Sequence, residues 1–226
     1  MTIVGLLGAT PAGAGTVTGH VRFEGPPPAR PTIYMAADPS CDKIAPNGRP
    51  ADVVVVDQAG GLANVLVYVK SGLPEKARWE MPSGAVKIDQ KGCAYVPHVL
   101  GVRAGQEIEI HSADETLHNV DARTALNTPF NEAMVGAGTV LRKSFTRPEV
   151  AVKLKCDIHP WMSAYVGVFD HPFFAVSSAD GGFTLPALPE GEYTVEAWHE
   201  SLGMKSATVE VDDDDVATLT FSFAGN

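Results

Sequence analysis

A chain of 226 residues, 45% of them hydrophobic, holds enough apolar material for one large domain or two modest cores, which argues against wholesale disorder. Its 27 acidic residues outnumber 17 basic ones, for a formal charge of −10, so the positive footprint that a phosphate backbone requires is missing and nucleic acid is not an expected partner. No stretch reaches the roughly 20 apolar residues of a bilayer-spanning helix.

In chain order, residues 1–15 (MTIVGLLGATPAGAG) carry a short apolar run followed by small residues, without a basic leader; they read as the remnant of a secretory signal or as a disordered tail. VTGHVRF, residues 17–23, alternates Val17, Val21 and Phe23 with Thr18, His20 and Arg22, the pattern of a strand buried on one face, and leaves His20 on the surface. The proline-rich GPPPARP (25–31) cannot supply a ladder of N–H donors and reads as an extended linker or edge. VVVV (53–56) and LANVLVYV (62–69) are expected to be buried strands joined by a turn at 57–61. Residues 16–84 are thus expected to supply the N-terminal strands of a β-sandwich, and Gly72–Gly84, which holds Pro74 and Pro82, marks a boundary.

From 85 to 170 the chain reads as a compact unit of short strands: AVKID, CAYVPHVLGV, QEIEIHS, VLRKSF and VAVKLKC. In QEIEIHS, Ile108 and Ile110 alternate with Glu107, Glu109 and His111, so His111 is expected on the solvent side. Residues 171–226 alternate cleanly and turn at Asp180–Gly182, Pro189–Gly191 and Asp212–Asp215, as antiparallel hairpins do. The fold class is all-β. The acidic run Asp212–Asp215 lacks the spaced oxygen ligands and glycine of a calcium loop and reads as a solvated turn.

The informative segment is CDIHPWM, which spaces Cys156, His159 and Met162 three residues apart directly after a strand. A further histidine, His118, lies 38 residues before Cys156 in DETLHNV, a separation that suits a ligand from a neighbouring strand. Two imidazoles with a thiolate and a thioether match copper, whose electron-transfer sites use a trigonal His₂Cys set with a weak axial Met. Structural zinc sites take four strong N or S ligands and do not recruit thioethers, and the set is too sparse for an iron–sulfur cluster. Asn119 is placed to bond across to the second ligand loop, and Pro160 to stiffen it. With Cys156 assigned to the metal, Cys41 and Cys93 are left either as one disulfide, which would suit an oxidising compartment, or as two buried thiols.

Residues 85–169 resemble a cupredoxin. VPHVLGVRAGQEIEIHSADETLHNV is similar to the strand–turn–strand and first-histidine segment of plastocyanins, and CDIHPWM to the short ligand loop of amicyanin-type blue copper proteins. The resemblance implies a Greek-key β-barrel that binds one copper ion through His118, Cys156, His159 and Met162. It implies a single-electron carrier of the bacterial cell envelope, periplasmic or secreted, rather than an enzyme. Donor and acceptor redox proteins with basic docking surfaces would meet it at the edge formed by His159, Pro160 and Trp161. Two alternatives remain: a copper enzyme or sensor with an open position, where Asp114 or Glu115 would replace Met162, and a structural copper module. The flanking segments GTVTGHVRFEG, ANVLVYV and DGGFTLPALPEGEYTVEAWHE resemble a transthyretin-like, carboxypeptidase regulatory-type β-sandwich into which the copper domain is inserted. His98 is a candidate auxiliary ligand, and His171 and His199 read as structural or exposed.

Overall fold

The computed structural model describes residues 13–225; the leader-like residues 1–12 lie outside it. Among the described residues the regular structure is almost all strand, with one six-residue helix, Pro39–Ile44. No helix among the described residues is long and apolar enough to cross a membrane.

Two β-units form. In the first, the strand order Phe130–Val135, Leu117–Arg123, Glu149–Lys155, Ser163–Phe169, Val99–Arg103 makes one sheet. Val140–Ser144, Glu107–Ser112, Val86–Gln90 and Tyr95–Val96 make the sheet that faces it. Period-two alternation turns Ile88, Ile108, Ile110, Val120, Val152, Leu154 and Val166 inward to one core. The second unit joins Phe174–Val176, Leu66–Ser71, Gly191–His199 and Gly203–Val211 in one sheet. Its other sheet pairs Ala14–Glu24 with Gly182–Thr184 and, in parallel over nine residues, with Val216–Ala224. Val17, Leu62, Phe183, Leu188, Val195 and Phe221 fill the space between them.

The units pack closely. Gly101 and Gly167 are register partners on neighbouring parallel strands. A Cβ on Gly101 would lie 2.4 Å from the ring of Phe174, and one on Gly167 would lie 2.4 Å from the side chain of Leu66. Both bulky groups come from the sandwich, so the missing side chains are what let its face approach. Leu66, Tyr68, Val99 and Phe169 are buried in that junction, with Phe174 and Trp198 packed against them.

Two expectations change. VVVV forms no strand: Val56 makes only an isolated bridge to Leu62, and Val53 is exposed. Hydrophobic content alone does not secure a ladder, and here Ala51–Asp52 are drawn off by Arg30 and Arg49. Residues 32–50, expected among the sandwich strands, lie instead on the barrel. Thr32–Ile33 pairs with Arg49–Pro50, the helix sits between them, and Met35 and Cys41 enter the barrel core. The disulfide Cys41–Cys93 pins this cap, with Cα atoms 5.7 Å apart.

Candidate metal centre

Cys156 follows the strand Glu149–Lys155, and the loop after it closes on itself. The Met162 N–H donates to the His159 carbonyl (2.9 Å), and the Cys156 N–H to the Met162 carbonyl (3.2 Å). The His159 N–H points at the Cys156 sulfur (3.4 Å). Asn119 spans from the neighbouring strand: its Oδ1 accepts the Asp157 N–H (2.7 Å) and its Nδ2 donates to the Asp157 carboxylate (3.0 Å). The Cys156–Met162 loop is therefore held at both ends.

His118 lies beside Asn119 in the strand Leu117–Arg123, within a run of five buried residues, and is itself fully buried. The Nδ1 atoms of His118 and His159 are 2.9 Å apart, and the Cys156 sulfur is 3.8 Å from His159 Nδ1. Donor atoms of the three residues all lie within 4.8 Å of one another, and each residue is at most 1% exposed. Met162 is likewise buried, in the same core cluster. The structure thus brings His118, Cys156 and His159 to one point and closes it with the loop that carries Met162.

The electrostatics favour a thiolate beside imidazole. Burial raises the Cys156 pKa, but the His118 ring and the backbone N–H groups of Asn119, His159 and Ile158 outweigh it and hold the thiol below its ordinary value. Burial opposes protonation of His118, yet Asp114 and the sulfur of Cys156 raise it to about 9. A buried site with two imidazoles and a readily formed thiolate has the donor chemistry of a soft, borderline metal.

Sequence reasoning missed the part played by two residues. Asp38 Oδ2 lies 3.1 Å from His159 Nε2, and Asp114 Oδ2 lies 3.1 Å from His118 Nε2. Asp114, a candidate replacement ligand by sequence, contacts instead the outer nitrogen of the ring, away from the Nδ1 atoms that converge. Asp38 carries one usable signal: Asp-Pro opens a helix, with Asp as the N-cap and Pro in the first turn. Nothing in the sequence says that this short helix lies on the ligand loop.

His159, expected at an exposed docking edge, is 1% exposed. Asp38 and Cys41 cover it, with the Cys41 sulfur 3.7 Å from Nε2. Trp161, half-buried, packs its ring 5.1 Å from that of His159 and donates its indole N–H to the Cys93 carbonyl. His98 stands apart, with Nδ1 on the Ser163 carbonyl (3.0 Å) and Nε2 on Glu200 of the sandwich. His171 and His199 are both buried. His111 is half-exposed and paired with Glu109, His20 is exposed, and Asp212–Asp215 forms an exposed turn.

No family model matches the chain, and no curated protein does. Among solved structures, part of a copper-containing nitrite reductase from Thermus scotoductus SA-01 is similar at 23% identity and a TM-score of 0.36, over 44% of this chain and 25% of that one. The likeness therefore spans about a quarter of the reductase. An oxidised amicyanin in which one proline is replaced by glycine is 20% identical with a TM-score of 0.34, over 45% of this chain and 97% of its own. A purple cupredoxin from Nitrosopumilus maritimus is 21% identical with a TM-score of 0.32, over 37% of this chain and 98% of its own.

Proposed function

We propose that the chain is a mononuclear copper protein that carries single electrons in the cell envelope. The observation that supports this most is the convergence of two Nδ1 atoms and one free cysteine sulfur, all buried, on a loop that also carries Met162. In this reading His118, Cys156, His159 and Met162 would hold the copper, a donor set of two imidazoles, a thiolate and a thioether suited to one-electron chemistry. Copper bound there supplies a one-electron couple between its cuprous and cupric states. The chain supplies rigidity, through Asn119 and the closed loop, and dryness, through the barrel core and the cap.

A disulfide suits an oxidising compartment such as the periplasm or the exterior. The charge of −10 favours redox partners with basic faces, met faster at low salt. With His159 covered, Trp161 is the group we assign to lead outward from the centre. The flanking sandwich, read as transthyretin-like, would serve as spacer or docking platform.

A copper titration followed optically tests the reading. A trigonal thiolate site is expected to give one intense band at roughly 600 nm, saturating at one equivalent of copper and absent in Cys156→Ser. A dominant band at roughly 400 nm would instead indicate a tetragonal site with an open position, and retention of colour in Cys156→Ser would remove the thiolate assignment.

A further inference from the structure

The two carboxylates behind the histidines are arranged alike. Asp114 places one oxygen on the Gly92 N–H (2.7 Å) and the other on both the Cys93 N–H (2.8 Å) and His118 Nε2 (3.1 Å). Asp38 places Oδ1 on the Ser40 and Cys41 N–H groups (2.7 and 3.0 Å), while its Oδ2 takes the Thr116 hydroxyl (2.8 Å) and faces His159 Nε2 (3.1 Å). Each carboxylate is thus oriented by backbone donors and turned towards one imidazole. The helix start and the turn that donate to them are joined by the bond between Cys41 and Cys93, residues that themselves give backbone N–H groups to the carboxylates.

A carboxylate on the outer nitrogen of a metal-binding imidazole fixes its tautomer with the proton on that nitrogen, leaves the inner nitrogen free to bind, and makes the ring more basic. Two such charges also favour the more highly charged state of a metal between the rings, because the site is buried and screening is weak. We propose that Asp38 and Asp114 are positioning residues, a disulfide-linked pair of carboxylates that clamps both histidines by their outer nitrogens and biases bound copper towards the cupric state.

This rests on the copper reading above, and its test separates the two. The full chain and its Asp38→Asn, Asp114→Asn and doubly substituted forms are loaded with copper and titrated against redox dyes. Asparagine keeps the shape and one acceptor oxygen but removes the charge. Each single variant is expected to raise the midpoint potential, and the double variant to shift the ratio of cuprous to cupric affinity at least tenfold, which for one electron is about 59 mV. A purely structural role would lower the unfolding temperature and leave the potential in place. Ring-nitrogen NMR of the metal-free protein is expected to show a proton on Nε2 of both His118 and His159.

Equal potentials in the unsubstituted chain and all three variants overturn the clamp and leave the copper reading standing. A chain that takes up no copper overturns the copper reading, and an Nε2 without its proton on either ring then overturns the clamp as well. Thr116→Val, which removes only the hydroxyl that orients Asp38, covers the case in which an Asn variant does not fold. It is expected to raise the potential by a smaller step, and no change there overturns the role of Asp38.

Discussion

The sandwich encloses Val17, Leu62, Phe183, Leu188, Val195 and Phe221, and its buried Ser177 is satisfied by the backbone of Leu62 and Val65. The barrel, built on the same alternation, takes His118, His159, Asn119, Asp114 and Asp121 indoors. Burying polar groups is costly unless they find partners, and those of the barrel end find them in one another, in backbone N–H groups and in Asp38, Asn131, Asp157 and Arg123. The sandwich also buries His171 and His199, each beside an aromatic ring, whereas the barrel end sets its buried histidines against one another, and that convergence marks where the molecule departs from optimal packing for a purpose.

Removing the Cys41–Cys93 bond should strain this contrast most. It closes a loop of 52 residues, so Cys41→Ala with Cys93→Ala is expected to cost about 4 kcal/mol. Urea unfolding should show the loss in the barrel transition, together with solvent access to His159. A loss shared equally by the sandwich would mean that the units unfold as one.

The sandwich has its own weakness in His199, 1% exposed. Burial, with a smaller contribution from His98, lowers its pKa from 6.5 to about 4 despite Glu200. The unfolded chain takes up this proton first as pH falls, so the stability it provides is complete above pH 6.5 and drains away towards pH 4. The loss amounts to about 3 kcal/mol. Urea midpoints measured across that range should fall, and His199→Gln should flatten the slope.

Gly101→Ala pushes a methyl group into the Phe174 ring and is expected to cost about 2 kcal/mol in thermal unfolding, with the copper spectrum unchanged. A neutral result would show that the junction is looser than its contacts. Asn119→Ala strips the Asp157 N–H of its acceptor and should cost about 1 kcal/mol, while weakening copper binding in a chelator competition.

Much of this is legible in the sequence. Alternation marks VTGHVRF and the C-terminal hairpins, because each buries one face, and the Cys–His–Met spacing marks the loop that the structure closes beside His118. The illegible parts depend on contacts distant in sequence. Val53–Val56 has strand composition, but its neighbours are held by other partners. The proline-rich lead into residues 32–50 gives no hint of a cap, since its place is set by a disulfide to Cys93 and by Asp38 meeting His159, 121 residues away. The expectation of an exposed histidine edge fails for the same reason.

The parallel pairing of Ala14–Glu24 with Val216–Ala224 has a consequence for assembly. Thr16 must wait for Val216, 200 residues later, before its sheet can close. Every strand of the barrel has been synthesised by Phe169, and contacts so distant in the chain form slowly. The barrel can therefore mature first, while the sandwich is the last part to shut, like a clasp fastened over a box already packed.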